Sequence, residues 1–324
     1  ASFERRGSRI PSAGHAPPPI PGTGALIAID WGTSRARAYR LDAAGRVLGE
    51  RSEPLGIQQL GGLGYPEALA RLLGDWRRDP VPRLACGMVG SRQGWREAPY
   101  VECPASLEHL ARGLVDTVAG GVSIVPGLST RDAAGAPDVM RGEETQILGA
   151  LAADAPRTLA VLPGTHSKWA RVERGIVLDF ATFMTGELYE ALVAHTILGR
   201  LAAAPDESAG AAFDRGVDRG LAAGAIMHDA FGARTLALAG ELRPGEVTEW
   251  LSGLLVGREI RDARRWAEAG GDDASEALVI GGDALAARYS RALARAGIRA
   301  TTAPPDAAAA GVFRIARAAG RVAV

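Results

Sequence analysis

Two short loops in the sequence carry the residue types that hold phosphate groups in proteins. The first comprises Gly32, Thr33, Ser34 and Arg35, and the second comprises Gly164, Thr165, His166, Ser167 and Lys168. Glycine lets backbone N–H groups approach a phosphate closely, and threonine or serine hydroxyls add further donors. One such sequence is more often an ordinary turn, whereas two in matching surroundings favour phosphate binding.

Two further segments extend this pattern toward a nucleotide and its metal ion. Asp30 ends an apolar segment directly before the first loop, and Mg²⁺ prefers carboxylate oxygens, bound directly or through water. Gly281 and Gly282 follow another apolar segment and leave room for a flat ring or a ribose. Asp283 completes this turn, although it is also a suitable N-cap for the helix that follows. We therefore predict Asp30 as the metal ligand and the Gly-Gly turn as the nucleoside side of the site.

Lys168 is the only lysine among the 37 basic residues of the chain. A bias toward arginine explains why lysine is scarce, and a compact ammonium is not interchangeable with a guanidinium. At the end of the second loop, Lys168 is predicted to reach a phosphate; the alternative is an exposed lysine at a strand edge. His166 is predicted to be a donor within the loop rather than a general base or metal ligand.

Both loops lie within the same order of predicted elements: strand, loop, strand, glycine turn, strand. The first copy has strands at residues 25–30, 35–41 and 46–50, and the second has strands at residues 158–162, 168–173 and 176–183. We interpret this as an internal duplication with one copy per domain. A strand, not a helix, follows the first loop, which argues against a Rossmann dinucleotide site, and no GxxxxGK[ST] motif is present.

The remaining pattern predicts an α/β protein of two domains, residues 25–157 and 158–324, with the last helix able to cross back to the first domain. Residues 1–24 are rich in proline and glycine and are predicted to form a disordered extension. Further strands are predicted at residues 83–89, 122–126 and 277–280. Helices are predicted at residues 66–77, 106–118, 142–153, 186–198, 216–231, 248–269, 284–296 and 306–318.

Composition excludes several classes of partner. The formal net charge is zero, so nothing indicates nucleic acid or a membrane surface. No apolar run approaches the ~20 residues that span a bilayer. Cys86 and Cys103 form no metal-binding motif and are interpreted as reduced thiols, which favours a cytoplasmic protein.

These motifs resemble those of the actin/hexokinase/Hsp70 ATPase superfamily. Its phosphate-1, phosphate-2 and adenosine motifs are similar to the segment beginning at Asp30, the second loop and the Gly-Gly turn. Longer stretches are similar to the 2-dehydro-3-deoxygalactonokinase family: GMVGSRQGWREAPYVECPA (87–105), DVMRGEETQILGAL (138–151), LPGTHSKW (162–169), TFMTGELYEAL (182–192) and SGLLVGREI (252–260). The resemblance covers residues 25–318. It implies a two-domain, actin-like (ribonuclease H-like) α/β fold whose duplicated domains close on ATP and Mg²⁺.

The resemblance also implies an activity, the transfer of the ATP γ-phosphate to the 6-hydroxyl of 2-dehydro-3-deoxy-D-galactonate in galactonate catabolism. One alternative is another sugar or sugar-acid kinase of the same superfamily. A second is a nucleotide-binding regulator without catalysis. The sequence leaves open the choice between the galacto and gluco epimers, and whether the protein is a homodimer.

Phosphoryl transfer to a hydroxyl requires a carboxylate that takes the proton. Glu143 matches the position of the base in the Gly-Asp-x-x-Ala-Ala segment of related carbohydrate kinases, where an Asp stands instead. Glu144 is the second candidate. The alternative is that both glutamates only complement the dipole of the helix that they begin.

The substrate side is predicted from residues that suit a carboxylate and hydroxyls. Arg92 is the first candidate for the carboxylate and Arg96 the second, because arginine binds carboxylates through a bidentate fork. Trp95 is predicted to stack on the sugar chain; the alternatives are a surface arginine and a core tryptophan. The neighbouring residues and a helix N-terminus complete the predicted lining: Ser91, Gln93, Thr185, Gly186 and Glu187.

Overall fold

The computed structural model describes residues 24–205 and 209–322 of the 324-residue chain. The predicted extension, residues 1–24, lies outside the described residues apart from Gly24. In the first half, single helices separate runs of strands, in this order: β1 (Leu26–Trp31), β2 (Ala36–Leu41), β3 (Val47–Glu53), α1 (Tyr65–Leu73), β4 (Arg83–Cys86), β5 (Tyr100–Glu102), β6 (Ala105–Ser106), α2 (Leu107–Arg112), β7 (Val115–Asp116), β8 (Ser123–Ile124), β9 (Gly127–Arg131), β10 (Pro137–Met140) and α3 (Glu143–Ala150).

The second half begins with three strands and is then mostly helical. Its elements are β11 (Thr158–Leu162), β12 (Ser167–Glu173), β13 (Ile176–Phe183), α4 (Thr185–His195), α5 (Ala209–Leu221), α6 (Ile226–Leu238), α7 (Val247–Ala269), β14 (Glu276–Val279), α8 (Asp283–Arg295), β15 (Arg299–Thr302) and α9 (Ala307–Ala318). Short 3₁₀ turns lie at Gly74–Arg78, Met88–Gly90, Ile197–Leu201 and Pro244–Glu246.

The first six-stranded sheet has the order β3-β2-β1-β4-β8-β7. Strands β1, β2 and β3 form an antiparallel meander, and β4 and β8 continue the sheet parallel to β1. Residues Leu26 to Ile29 of β1 are all fully buried, because side chains pack on both faces of this central strand. The uninterrupted apolar sequence of β1 therefore places Asp30 at the carboxyl end of the central strand.

The second six-stranded sheet repeats this arrangement in the order β15-β14-β11-β12-β13-β6. Strands β11, β12 and β13 form the antiparallel meander, and β14 and β15 are parallel to β11. The duplication and the actin-like α/β fold predicted from the sequence are thus confirmed. Strand β6, from the first half of the chain, pairs with β13 at the edge of this sheet.

A small third sheet, with the order β10-β9-β5, was not predicted. Its strands have only three to five residues, too few for a clear alternation of apolar and polar side chains. Two polar contacts connect it to β13. Asp138 accepts hydrogen bonds from the backbone N–H and the hydroxyl of Thr182, and Thr130 donates to Asp179.

Helix α9 packs against α3 and β1. The approach between α9 and α3 is very close at two glycines: a Cβ on Gly149 would lie 1.9 Å from the carbonyl oxygen of Ala307, and one on Gly311 would lie 1.9 Å from that of Thr145. Only glycine allows this contact. The end of the chain thereby fixes the position of α3, whose first residue is Glu143.

Three predicted elements were wrong in their extent. The helix predicted at 216–231 is two helices, because the carbonyls of Ala222 and Gly224 accept hydrogen bonds from arginines of α7 instead of continuing the helix. The helix predicted at 106–118 ends at Arg112 before Gly113, and β7 follows. The strand predicted at 83–89 ends at Cys86, because Gly87 turns the chain with φ +90°.

Among the helices of residues 24–205 and 209–322, none combines the length and the apolar character needed to cross a bilayer.

Candidate active site

A cleft of about 680 Å³ is lined by residues from both six-stranded sheets. This volume lies within the usual range for small-molecule sites. The cleft brings together the three segments predicted to hold a nucleotide and the start of α3. Its predicted members are Asp30, Gly32, Thr33, Glu143, Gly164, Thr165, His166, Gly281, Gly282 and Asp283.

Asp30 lies at the carboxyl end of β1, opposite Arg37 of β2 and Cys86 of β4. Burial raises the pKa of Asp30, and the Arg37 guanidinium, 4.0 Å away, opposes part of that rise. Among the described residues, no hydrogen-bond donor reaches the Asp30 carboxylate, which is one-fifth exposed to the cleft. A cleft-facing carboxylate without a donor suits a hard cation.

Only the start of the first loop faces the cleft. The backbone N–H of Gly32 donates to the carbonyl of Arg35 and closes the turn. Gly32 and Thr33 line the cleft, whereas Ser34 and Arg35 are exposed outside it. The Arg35 guanidinium donates to the hydroxyl of Ser52, 3.3 Å away.

The second loop is supported from behind by buried polar side chains. Ser167 is fully buried, and its hydroxyl lies 3.0 Å from that of Tyr289. The carboxylate of Glu259 accepts hydrogen bonds from Tyr289 and from the Trp169 indole, and burial raises its pKa. Ser167 therefore supports the loop instead of facing the cleft, whereas Gly164, Thr165 and His166 line it.

Lys168 is buried, which contradicts the alternative of an exposed lysine. Its Nζ lies 3.9 Å from Oε1 of Glu143 and 3.4 Å from the carbonyl oxygen of His166. This ion pair joins the second loop to the first turn of α3. The only lysine in the sequence therefore lies next to the glutamate that was predicted as the base.

Glu143 begins α3, directly after Gly142, whose φ of +105° favours glycine. Its side chain is about one-quarter exposed and lines the cleft, and its Oε2 accepts the backbone N–H of Arg141. Burial raises the pKa of Glu143, and the Lys168 ammonium opposes part of that rise. Glu143 thus combines access to the cleft with a basicity above that of an ordinary carboxylate.

Glu144 points into the protein. Its carboxyl is fully buried, accepting the Gly142 N–H at 2.6 Å and the Thr145 hydroxyl at 2.9 Å. Burial, and next the carboxyl of Glu143, raise the pKa of Glu144 to about 8. This geometry favours Glu143 over Glu144 as the group that meets a substrate.

The buried carboxyl of Glu144 leads to a prediction about stability. Between pH 4.5 and about 8 the folded protein keeps a proton on Glu144 that the unfolded chain releases, so wild-type stability falls as pH rises. Glu144→Gln stays neutral and lacks this loss. Urea unfolding measures the free energy of unfolding of both proteins. The difference between the variant and wild type should grow in favour of the variant by up to about 1.4 kcal/mol per pH unit over this range and stay constant at higher pH. If the free energies of unfolding of wild type and Glu144→Gln changed in parallel with pH, the raised pKa of Glu144 would be contradicted.

The third segment leaves open space at its glycines. A Cβ on Gly282 would meet no atom within 4 Å, and one on Gly281 would meet only Pro163, at 3.8 Å. Asp283 begins α8, and Gly282, not Asp283, occupies the N-cap position. Pro304 and Pro305 line the same end of the cleft and were not predicted from the sequence.

The predicted residues at the start of α4 lie against the second loop. The backbone N–H of Glu187 donates to the carbonyl of Thr165, and the Glu187 carboxylate lies 2.6 Å from Nε2 of His166. A Cβ on Gly186 would lie 2.5 Å from the carbonyl oxygen of Gly164. Thr185, Gly186 and Glu187 are not among the residues that line the cleft.

The segment from Ser91 to Arg96 also lies outside the cleft lining. The Trp95 ring stacks on Tyr65 with centroids 5.7 Å apart, as part of the core of the first sheet. Arg96 donates to the carbonyl of Asp116, and Arg92 and Gln93 are exposed. The buried hydroxyl of Ser91 has no hydrogen-bond partner among the described residues. The cleft thus lends no support to the predicted substrate role of this segment.

Several cleft residues were not predicted as site residues. Gly87 and Met88 follow β4, and the parallel arrangement of β4 beside β1 could have indicated that both strand ends share one edge. Arg141 and Gln146 flank the predicted base, and Arg37 faces Asp30. No local sequence signal distinguishes these three residues from ordinary surface positions.

The chain is similar to known proteins along almost its whole length. A family profile described as 2-keto-3-deoxy-galactonokinase matches residues 30–315. The chain is 37% identical over 297 residues to the 2-dehydro-3-deoxygalactonokinase of Escherichia coli (strain K12), covering 91% of this chain and 99% of that protein. A crystal structure of a protein assigned as a 2-dehydro-3-deoxygalactonokinase from Sinorhizobium meliloti has a TM-score of 0.81 and 36% identity, covering 90% of this chain and 98% of that chain.

Proposed function

The chain belongs to the 2-keto-3-deoxy-galactonokinase family, and we propose that it transfers the γ-phosphoryl group of ATP to the 6-hydroxyl of 2-dehydro-3-deoxy-D-galactonate. The product then enters galactonate catabolism. One observation supports this proposal above the others: both Gly-Thr loops, the Gly-Gly turn and the Glu143–Lys168 pair line or border a single cleft. A nucleotide and an acceptor hydroxyl can therefore meet beside one carboxylate and one ammonium.

In the proposed complex, the nucleoside lies at Gly281 and Gly282, where open space is available. The phosphates lie between the loop starting at Gly32 and the loop starting at Gly164. Backbone N–H groups and the hydroxyls of Thr33 and Thr165 supply donors there. In the proposed arrangement, the γ-phosphate lies next to Lys168 and Glu143.

The proposed transfer step uses the ion pair. Glu143 takes the proton of the 6-hydroxyl, the substrate oxygen forms a bond to the γ-phosphorus, and the bond from that phosphorus to the bridging oxygen of ADP breaks. Charge develops on the transferred group and the leaving oxygen, and the Lys168 ammonium neutralises part of it. The burial that raises the pKa of Glu143 makes this carboxylate a stronger base.

The donor-free carboxylate of Asp30 fits a Mg²⁺ ion held together with phosphate oxygens and water. When bound, this ion would neutralise charge on the β- and γ-phosphates. The role of Asp30 is then to hold the cation at the end of β1, while Arg37 limits the local excess of negative charge.

Asp30→Asn should weaken the apparent affinity for Mg²⁺ about 10- to 100-fold, because an amide oxygen carries no charge. Titrating Mg²⁺ at fixed ATP measures this effect, with nucleotide binding in the absence of metal as a second readout. The matched control is Asp79→Asn, a carboxylate that pairs with Arg40 outside the cleft. Equal Mg²⁺ dependence in wild type and Asp30→Asn would contradict the assignment.

The function is tested by an ADP-release assay with 2-dehydro-3-deoxy-D-galactonate, its gluco epimer and neutral hexoses. We expect strong stimulation by the keto-deoxy acid. Preference for a neutral hexose would favour another sugar kinase of the superfamily. Lack of stimulation by every compound would favour a regulator that only binds the nucleotide.

A further inference from the structure

One buried cation in the cleft wall has no carboxylate partner among residues 24–205 and 209–322. Arg141 lies between β10 and α3, lines the cleft and is only 8% exposed. One terminal nitrogen of its guanidinium donates to the carbonyl of Ala98, 2.7 Å away. Its Nε and its other terminal nitrogen have no hydrogen-bond partner among the described residues.

Two neighbouring cations, Arg37 in the cleft lining and Lys168 behind it, do pair with carboxylates. Arg37 lies within 4.0 Å of Asp30, and Lys168 within 3.9 Å of Glu143. The Arg141 guanidinium instead lies 4.3 Å from the centroid of the Tyr100 ring, which holds its position without neutralising its charge. Within the described part of the chain, the positive charge of Arg141, two residues before the proposed base, is therefore not neutralised by a carboxylate.

This guanidinium is packed tightly beside Gly90, where Ile124 and Ala98 also lie close. A Cβ on Gly90 would lie 2.8 Å from Cγ2 of Ile124 and 3.0 Å from the unpartnered terminal nitrogen, so glycine is needed to make room for the guanidinium. The next residue, Ser91, has a buried hydroxyl that also lacks a partner in the described part of the chain. Unpaired buried donors of this kind are costly unless an acceptor satisfies them, and an anion is the acceptor that a cation requires.

We propose that Arg141 recognises the carboxylate of the sugar-acid substrate and so orients the substrate with its terminal hydroxyl toward Glu143. This inference rests on the proposed function. The positive charge attracts the anion into the cleft, and the planar fork of arginine matches the two carboxylate oxygens. The backbone N–H of Arg141 donates to Oε2 of Glu143, so the base is tied to the backbone of the residue that recognises the carboxylate.

The test compares the acid with its uncharged primary amide as acceptor. Wild type should prefer the acid, and Arg141→Met should lower kcat/KM for the acid about 10- to 100-fold while changing that for the amide little. Binding of the acid in the absence of ATP, measured by calorimetry, should weaken by a similar factor. Arg141→Lys retains the charge without the fork and should keep part of the preference, which leaves the proposal testable if the methionine variant does not fold.

Arg92→Met is the matched control, because Arg92 is exposed outside the cleft. The ratio of kcat/KM for the acid to kcat/KM for the amide should be the same in this variant as in wild type. If Arg141→Met lowered kcat/KM equally for the acid and the amide, the role of Arg141 would be overturned. The same holds if only Arg92→Met lost the preference for the acid. Either result leaves the proposed kinase activity standing. A wild-type enzyme that phosphorylates neither compound overturns the proposed function itself, and this inference with it.

Discussion

Glu143→Gln is expected to lower kcat by about 10²–10⁴-fold, which is the usual contribution of a general base. The amide keeps the size of the side chain but cannot accept the proton of the 6-hydroxyl. The KM for ATP should stay near that of wild type, because the proposed nucleoside position, at Gly281 and Gly282, lies on a different segment of the cleft. Steady-state rates at saturating ATP and acid measure the loss.

Glu144→Gln provides the comparison that separates the two adjacent glutamates. Its side chain is fully buried against Gly142 and Thr145, so its effect on kcat should be at least an order of magnitude smaller. The reverse order of effects would identify Glu144 as the base. Similar small losses of kcat in both variants would mean that the two glutamates only complement the dipole at the start of α3.

Lys168→Met is expected to lower kcat by about 10²–10³-fold and also to change its pH dependence. The ammonium opposes the burial that raises the pKa of Glu143, so its removal raises that pKa further. A carboxylate must be ionised to accept a proton. The acidic limb of the kcat profile should therefore move to higher pH in the variant, as measured across a range of pH in a coupled assay.

Lys168→Arg is the control that keeps the positive charge. Its acidic limb should stay close to that of wild type, although kcat falls because the larger guanidinium does not fit the space of an ammonium. An unshifted acidic limb in Lys168→Met would contradict the coupling to Glu143.

The sequence predicted the two sheets well because each meander has its own local signals. Apolar strands, a Gly-Thr loop and a glycine turn recur in the same order, and short-range geometry is enough to form an antiparallel meander. The bounds of β11 and β13 were predicted to the residue. The break between α5 and α6 could not be predicted, because the arginines that stabilise it come from α7, far along the chain.

The two Gly-Thr loops of the candidate site could also be predicted from the sequence. The position of the predicted substrate residues could not. Trp95 lies in an aromatic cluster with Trp31 and Tyr65, and only tertiary packing decides between a core and a cleft position. That Arg141 lacks a carboxylate partner among the described residues follows only from where other side chains lie. The choice between Glu143 and Glu144 depends on the rotation of α3, since adjacent residues of a helix point in different directions.

The most direct test of the proposed activity is to incubate the protein with ATP, Mg²⁺ and 2-dehydro-3-deoxy-D-galactonate, and to locate the phosphate ester by phosphorus–proton correlation spectroscopy. We predict one new phosphate ester, coupled to the protons on carbon 6, formed in equal amount to ADP. A phosphate ester on another carbon, or ADP formed without any ester, would contradict the account.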